Sequence, residues 1–197
     1  MVQTSTRVDT PRQSTEKFSG NTFRAYLSGL DTLGLLPVVR MMVPEHVKRM
    51  MDSPPQPTVW VEGDELPLIF NAVVKVQGLD GMRTLGYEAT RGTTGRFLKP
   101  LMQMTLSKHG SSPAALFSNL GPLCRSLFQG LDFQYTPDGR SSGKLQIRSS
   151  YAMGLASWAA WEGTLRILFE ECGVTTGSIS PSVIREGGHV ALMRVRW

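Results

Sequence analysis

Cysteine is nearly absent from this sequence. The 197 residues hold two, Cys124 and Cys172, far apart, with no Cys-x-x-Cys spacing and no histidine pair beside them. That excludes a disulfide framework and a zinc cage, and it fits a reducing cytoplasm. Long apolar runs are missing too. No window approaches the roughly 18 uninterrupted apolar residues of a membrane span. The first twenty residues are rich in Thr, Ser, Gln and charge and lack the apolar stretch of a signal peptide. A soluble, cytoplasmic protein is expected. Histidine is scarce, and His46, His109 and His189 form neither an H-x-x-x-H nor an H-E-x-x-H pattern, so the zinc-protease signature is excluded. Runs of Lys or Arg are lacking despite a formal charge of +5. The excess is thinly spread, and no basic helix carries interleaved aromatics. It reads as a solubilising surface, and no nucleic-acid partner is expected.

What is present supports one domain with a sizeable core, given a hydrophobic content of 41%. The clearest element is a helix over Ser157–Cys172. Trp158, Trp161, Leu165, Leu168 and Cys172 recur at spacings of three and four, while Glu162, Arg166 and Glu170 share the opposite, solvated face. Gly173 is its stop. Before it, Lys144–Ser150 alternates, with Leu145 and Ile147 on one face and Gln146 and Arg148 on the other. After it, Gly177–Arg185 and His189–Trp197 form a hairpin around Glu186-Gly-Gly188.

The rest of the chain is read as helical. Residues 1–17 have no periodic apolar face and are expected to be a flexible tail. The folded domain is placed at 18–197. Phe23, Tyr26, Leu27 and Leu30 stripe a first helix capped at Ser19 or Asn21 and ended by Gly34. Pro44 opens a short helix with Val47, Met50 and Met51, and the prolines of 52–57 impose an extended linker. From Asp64 to about Gln77, Leu66, Ile69, Phe70, Val73, Val74 and Val76 cover much of a helix, which predicts burial on several sides or a subunit interface. Further helices are expected over 81–91, 97–107 and from Pro113. Tyr135–Arg140, with its Pro-Asp-Gly core, reads as a turn. Helices followed by a β-α-β-β unit make an α+β layout.

Motifs with chemical meaning are few. Arg91-Gly-Thr-Thr-Gly-Arg96 is either a backbone cradle for an anion or an ordinary connection between helices; the Gly-Lys-Ser/Thr ending of a P-loop is missing. A single histidine suffices as an axial haem ligand. However, His46 and His109 lie beside Glu45 and Lys108 as solvated side chains would, and His189 follows a Gly-Gly turn. Cys124 is either a buried structural thiol or a nucleophile, and its leucine neighbours favour the first. The ten methionines, clustered at 41–42, 50–51 and 102–104, suit either core filling or an adaptable apolar pocket.

Three stretches carry a resemblance. Phe18-Ser-Gly-Asn-Thr-Phe-Arg-Ala-Tyr-Leu27 with the Gly34 break, the short helix from Pro44-Glu45, and Trp60 ahead of a long helix resemble the opening of the haem-NO-binding-like and 4-vinyl reductase domain superfamily. Leu85-Gly86 matches its next, small-residue helix. The closing unit, with Ile184-Arg185 and Met193-Arg-Val-Arg-Trp197, is similar to that of a myxobacteria-restricted paralogous family of unknown function. The resemblance implies a helical N-terminal half packed on a four-stranded antiparallel sheet, with a pocket between the layers that relatives use for haem, aromatic effectors or an acyl chain, and dimerisation through helices. The Tyr-x-Ser-x-Arg haem-propionate motif and the Cys-rich zinc signature of the group are both missing. No cofactor and no metal are therefore expected.

The resulting expectation is a non-enzymatic sensor or adaptor domain. It binds a small apolar ligand between helices and sheet and acts as a homodimer or on a protein partner, with Trp60, Phe70, Phe97, Met102, Phe117, Trp158 and Trp161 as pocket wall. The alternative is an interaction module whose interior is filled by its own side chains. A Cys124 enzyme is the third reading.

Overall fold

The computed structural model describes residues 16–197, without the side chains of 93–97. The expected tail therefore lies outside the described residues except for Glu16 and Lys17. Lys17 opens β1 (Lys17–Ser19), which pairs antiparallel with β2 (Trp60–Glu62) on one side and β3 (Phe128–Gln129) on the other. Ser19 ends the strand and caps α1 (Gly20–Thr32), its hydroxyl accepting the Thr22 N–H at 3.2 Å. Leu36–Met42, with Pro37 in its first turn, forms α2, and Glu45–Asp52, started by Pro44, forms α3. The proline linker that follows is pinned by Arg24, whose guanidinium donates to the Pro54 and Pro55 carbonyls, each at 2.7 Å.

α4 (Glu65–Ala89) consists of two helical stretches meeting at Gly78, whose φ of 68° lies in the left-handed region that favours glycine. Leu66, Ile69, Phe70 and Val73 are buried, whereas Val76 is 40% exposed. The expected all-round apolar helix is thus a one-sided stripe facing the core. A π-helical turn, Thr90–Thr94, runs directly into α5 (Gly95–His109). The Gly-rich stretch 91–96 is accordingly no open loop: it is taken up in helix, not in an anion cradle. α6 (Pro113–Ser118) and α7 (Leu120–Cys124) follow.

The main sheet is antiparallel and has five strands rather than four. β4 (Leu131–Gly139), β5 (Ser142–Ser149), β8 (Val190–Arg196) and β6 (Ser178–Ile179) lie in that order, and β7 (Val183–Arg185) also pairs with β8. β4 is not among the expected strands, and the expected run Gly177–Arg185 is divided into β6 and β7. Tyr135, Thr136 and Pro137 continue the ladder opposite Leu145, Lys144 and Gly143, and the register shifts only between Pro137 and Gly139. Proline is tolerated there because β4 is an edge strand.

The expected helix Ser157–Cys172 is divided into α8 (Leu155–Thr164) and α9 (Ile167–Glu170). Its polar face is not solvated throughout. Glu162 is only 6% exposed, because Arg83 of α4 reaches it at 2.6 Å and the backbone N–H and hydroxyl of Ser182 donate to it, each at 2.6 Å. α8 is buried on all sides because it separates two apolar cores. Ala156, Ala159 and Ala160 join α1–α4, whereas Trp158, Trp161 and Leu165 join α5–α7 and the sheet. Small residues allow the first contact: a Cβ on Gly86 would lie 2.2 Å from the Ala160 carbonyl oxygen, and one on Gly163 would lie 1.9 Å from that of Arg83.

Candidate functional site

At the junction of the two cores the interior is not completely filled. The Trp161 ring, projecting from α8 toward the sheet side, packs at 4.8 Å from Phe128 and 5.5 Å from Phe133. Beside it lie two adjacent voids of about 30 Å³ and 20 Å³. Both are bounded by Thr90, Leu98, Cys124, Trp161 and Thr164. The larger is closed by Thr22 and Tyr26 of α1, the smaller by Met102 of α5 and Leu165, Ile167 and Leu168.

Their chemistry is mainly apolar. Among the described residues no Asp, Glu, Lys, Arg or His lines either void. The hydroxyls at the larger one are partly committed: Thr90 donates to the Gly86 carbonyl at 2.9 Å, Thr164 approaches the same carbonyl at 3.2 Å, and Thr22 donates to the Leu127 carbonyl at 3.2 Å. Burial pushes the Tyr26 phenol well above its usual range and the Cys124 thiol up to about 12. At neutral pH both remain neutral, so neither Tyr26 nor Cys124 is an activated nucleophile there. A void of 20–30 Å³ has room for about one water-sized molecule, and Thr22 and Tyr26 give the larger one two hydroxyls that the smaller lacks.

The residues expected to form the pocket wall are dispersed. Trp161 borders both voids and Met102 borders the smaller. Trp158 is fully buried in the same core. Phe117 lies farther along it, against Tyr135, Phe169 and Trp197 at 5.5–6.4 Å. Phe70 belongs to the other core and packs on Tyr26 at 4.7 Å. Trp60 is 41% exposed in the small sheet and does not reach the interior. The side chain of Phe97 lies outside the described residues. Thr90, Thr164 and Leu98, not expected as pocket wall, line both voids. Two threonines on helices carry no pattern that separates them from solvated ones.

The histidines stay away from this junction. His46 and His109 are exposed, and the Nδ1 of His189 is 3.0 Å from the Ser149 carbonyl oxygen. His46, Asp64 and Glu65 bring potential ligand atoms within 4.8 Å of one another at the start of α4, with His46 and Asp64 exposed. Surface carboxylates commonly cluster in this way without an ion. No helix among the described residues is long and apolar enough to cross a membrane.

No protein-family profile matches the sequence, and no curated protein matches it at a significant level. Solved structures do match. A Tt H-NOX domain carrying two substitutions superposes with a TM-score of 0.64 at 14% identity, covering 91% of this chain and 94% of that one. The Fe(II) unliganded H-NOX protein from K. algicida gives 0.62 at 11%, covering 90% and 95%. A protein studied for modulation of haem redox potential through porphyrin distortion gives 0.63 at 13%, covering 91% and 99%. Nearly the whole of each chain is aligned while few residues are shared, so the likeness is one of architecture: this protein has the H-NOX-like fold.

Proposed function

We propose that the chain is a non-enzymatic sensor or adaptor domain that takes a small apolar molecule at the junction of its helical and sheet layers. It is assigned to the haem-NO-binding-like and 4-vinyl reductase superfamily, nearest the myxobacterial paralogues, with the domain at 18–197, the tail at 1–17 and the cytoplasm as its place of work. The observation that carries the reading is the pair of voids sharing Thr90, Leu98, Cys124, Trp161 and Thr164, directly below a π-helical turn. Turns of this kind are frequent at functional sites.

Haem, bound by proteins of this architecture, does not fit the described residues. A ligand of drug size needs on the order of 300 Å³ or more, whereas these voids are about 30 Å³ and 20 Å³, and no histidine faces them. As they stand the voids hold only water-sized molecules, so the ligand is a compact one, no larger than a single ring, admitted only where Trp161 or Met102 changes rotamer and joins the two voids. Removing apolar surface from water at about 25 cal/mol per Å² supplies the affinity, and the Thr90 and Thr164 hydroxyls supply polarity at one end.

Benzene is a suitable probe. Saturating amounts should raise the melting temperature by about 5 °C or more, since occupancy at a hundred times Kd stabilises by about 2.7 kcal/mol. Cys124→Leu, at a position bordering both voids, should remain folded and lose the shift. A wild-type protein indifferent to benzene would sink the proposal.

A second reading, an interaction module with a self-filled interior, is favoured by the exposed apolar residues of α5. Leu101 is 38% and Met104 62% exposed. If α5 is a dimer seam, Met104→Lys should convert a dimer to a monomer in sedimentation; an unchanged mass would remove that reading.

A further inference from the structure

The solvent face of the main sheet bears an open concavity of about 580 Å³, separate from the interior voids. The pleat sets its chemistry. Leu145, Ile147, Ala191, Met193 and Val195 are buried, so the alternate residues of β5 and β8 point outward. Strand pairing arranges these in rows. Gln134 faces Gln146, Gln146 faces Leu192, and Leu192 faces Val183. In the next row Thr136 faces Lys144, and Lys144 faces Arg194.

Lys144 and Arg194 are like charges directly opposite each other, an arrangement that destabilises a sheet. Arg185 adds a third cation to the lining, which includes no carboxylate among the described residues. The acids at the margins have their own partners: Glu186 pairs with Arg148 at 2.8 Å, and Asp138 accepts the Ser142 hydroxyl at 2.6 Å. Asp132 stands opposite Arg148.

We propose that this face binds an acidic, extended segment of a partner protein. Charge complementarity fixes the sign of the occupant. Leu192 and Val183, the latter 56% exposed, offer an apolar strip for one aliphatic side chain. The Gln134 and Gln146 amides both donate and accept, as a peptide backbone requires and a simple anion does not. Four strands spaced about 4.8 Å apart span roughly 14 Å, the length of about four extended residues. The binding neutralises a cationic pair that the sheet otherwise holds together at a cost.

The test uses the full chain and a fluorescein-labelled hexapeptide of glutamates around one central leucine, read by fluorescence anisotropy. Saturable binding is expected that weakens with salt. Lys144→Glu and Arg194→Glu should each lower affinity at least tenfold, whereas Lys75→Glu on α4 should leave it unchanged. Lys144→Glu should at the same time raise the melting temperature of the free protein, which separates loss of the site from loss of the fold. The proposal is overturned by absence of binding, by equal weakening in Lys75→Glu, or by inorganic phosphate or duplex DNA competing as well as the peptide does. None of these outcomes depends on whether the interior takes a ligand.

Discussion

Glu162 illustrates how one buried charge ties the helical and sheet halves together. Three donors from two distant segments converge on it, Arg83 from α4 and the N–H and hydroxyl of Ser182. Removing the cation leaves the carboxylate buried beside neutral partners, so Arg83→Ala should cost about 3 kcal/mol in urea unfolding. Glu162→Gln, which removes the charge and keeps an acceptor for Ser182, should cost less; the reverse order would disprove this account of the pair. Glu16 is a buried acid of another kind. Burial raises its carboxyl from 4.5 to about 7. Between those values the unfolded chain has released the proton and the folded one retains it. Stability should therefore fall as pH rises from 4.5 to 7, by about 3 kcal/mol, and level off above. Denaturant midpoints at pH 5 and pH 7.5 measure this, and Glu16→Gln should flatten the difference. Cys124, its thiol pushed up to about 12 by burial, should resist iodoacetamide in the native protein at pH 7. Rapid labelling would restore the nucleophile reading.

At the scale of elements, the crossing of α4 and α8 is set by residues too small to keep the helices apart. A Cβ at Gly86 meets the backbone of Ala160, which cannot rotate away as a side chain would. Gly86→Ala should therefore cost about 2 kcal/mol or more, whereas Gly121→Ala, inside α7 with nothing within 4 Å, should not destabilise. Equal effects would mean that the crossing is not tight. Elements of this kind were legible in the sequence wherever a period is long enough to show. The stripe Phe23, Tyr26, Leu30, the stops at Gly34 and Gly173, the alternation of β5 and the β7–β8 hairpin all appear there. β1 and β3 do not, because three and two residues are too few for an alternation to register. β4 was hidden because Pro137 and Gly139, turn residues by composition, sit at the irregular end of an edge strand. Glu162 read as solvated because its partner Arg83 lies 79 residues away. Of the residues lining the voids, Trp161 and Met102 stand out in the sequence through their apolar spacing. Trp60 is apolar but sits in a three-residue strand of the small sheet, 41% exposed.

On the scale of the whole molecule, two cores share α8, and the voids lie where the shared helix turns its large face toward α5 and the sheet. Trp161 is the main plug of that junction, 4% exposed. Trp161→Ala should destabilise by about 3–5 kcal/mol and, in compensation, bind benzene more tightly than wild type in the same melting assay. If tighter binding does not accompany the lost stability, the voids are packing defects and not a site. The proposed compact apolar site has no room for a porphyrin. A native mass spectrum of the full chain, purified from cells supplied with a haem precursor, should show the polypeptide mass or a simple multiple of it, with any non-covalent adduct smaller than a porphyrin and lost on denaturation. A stoichiometric haem adduct would rule the proposed site out.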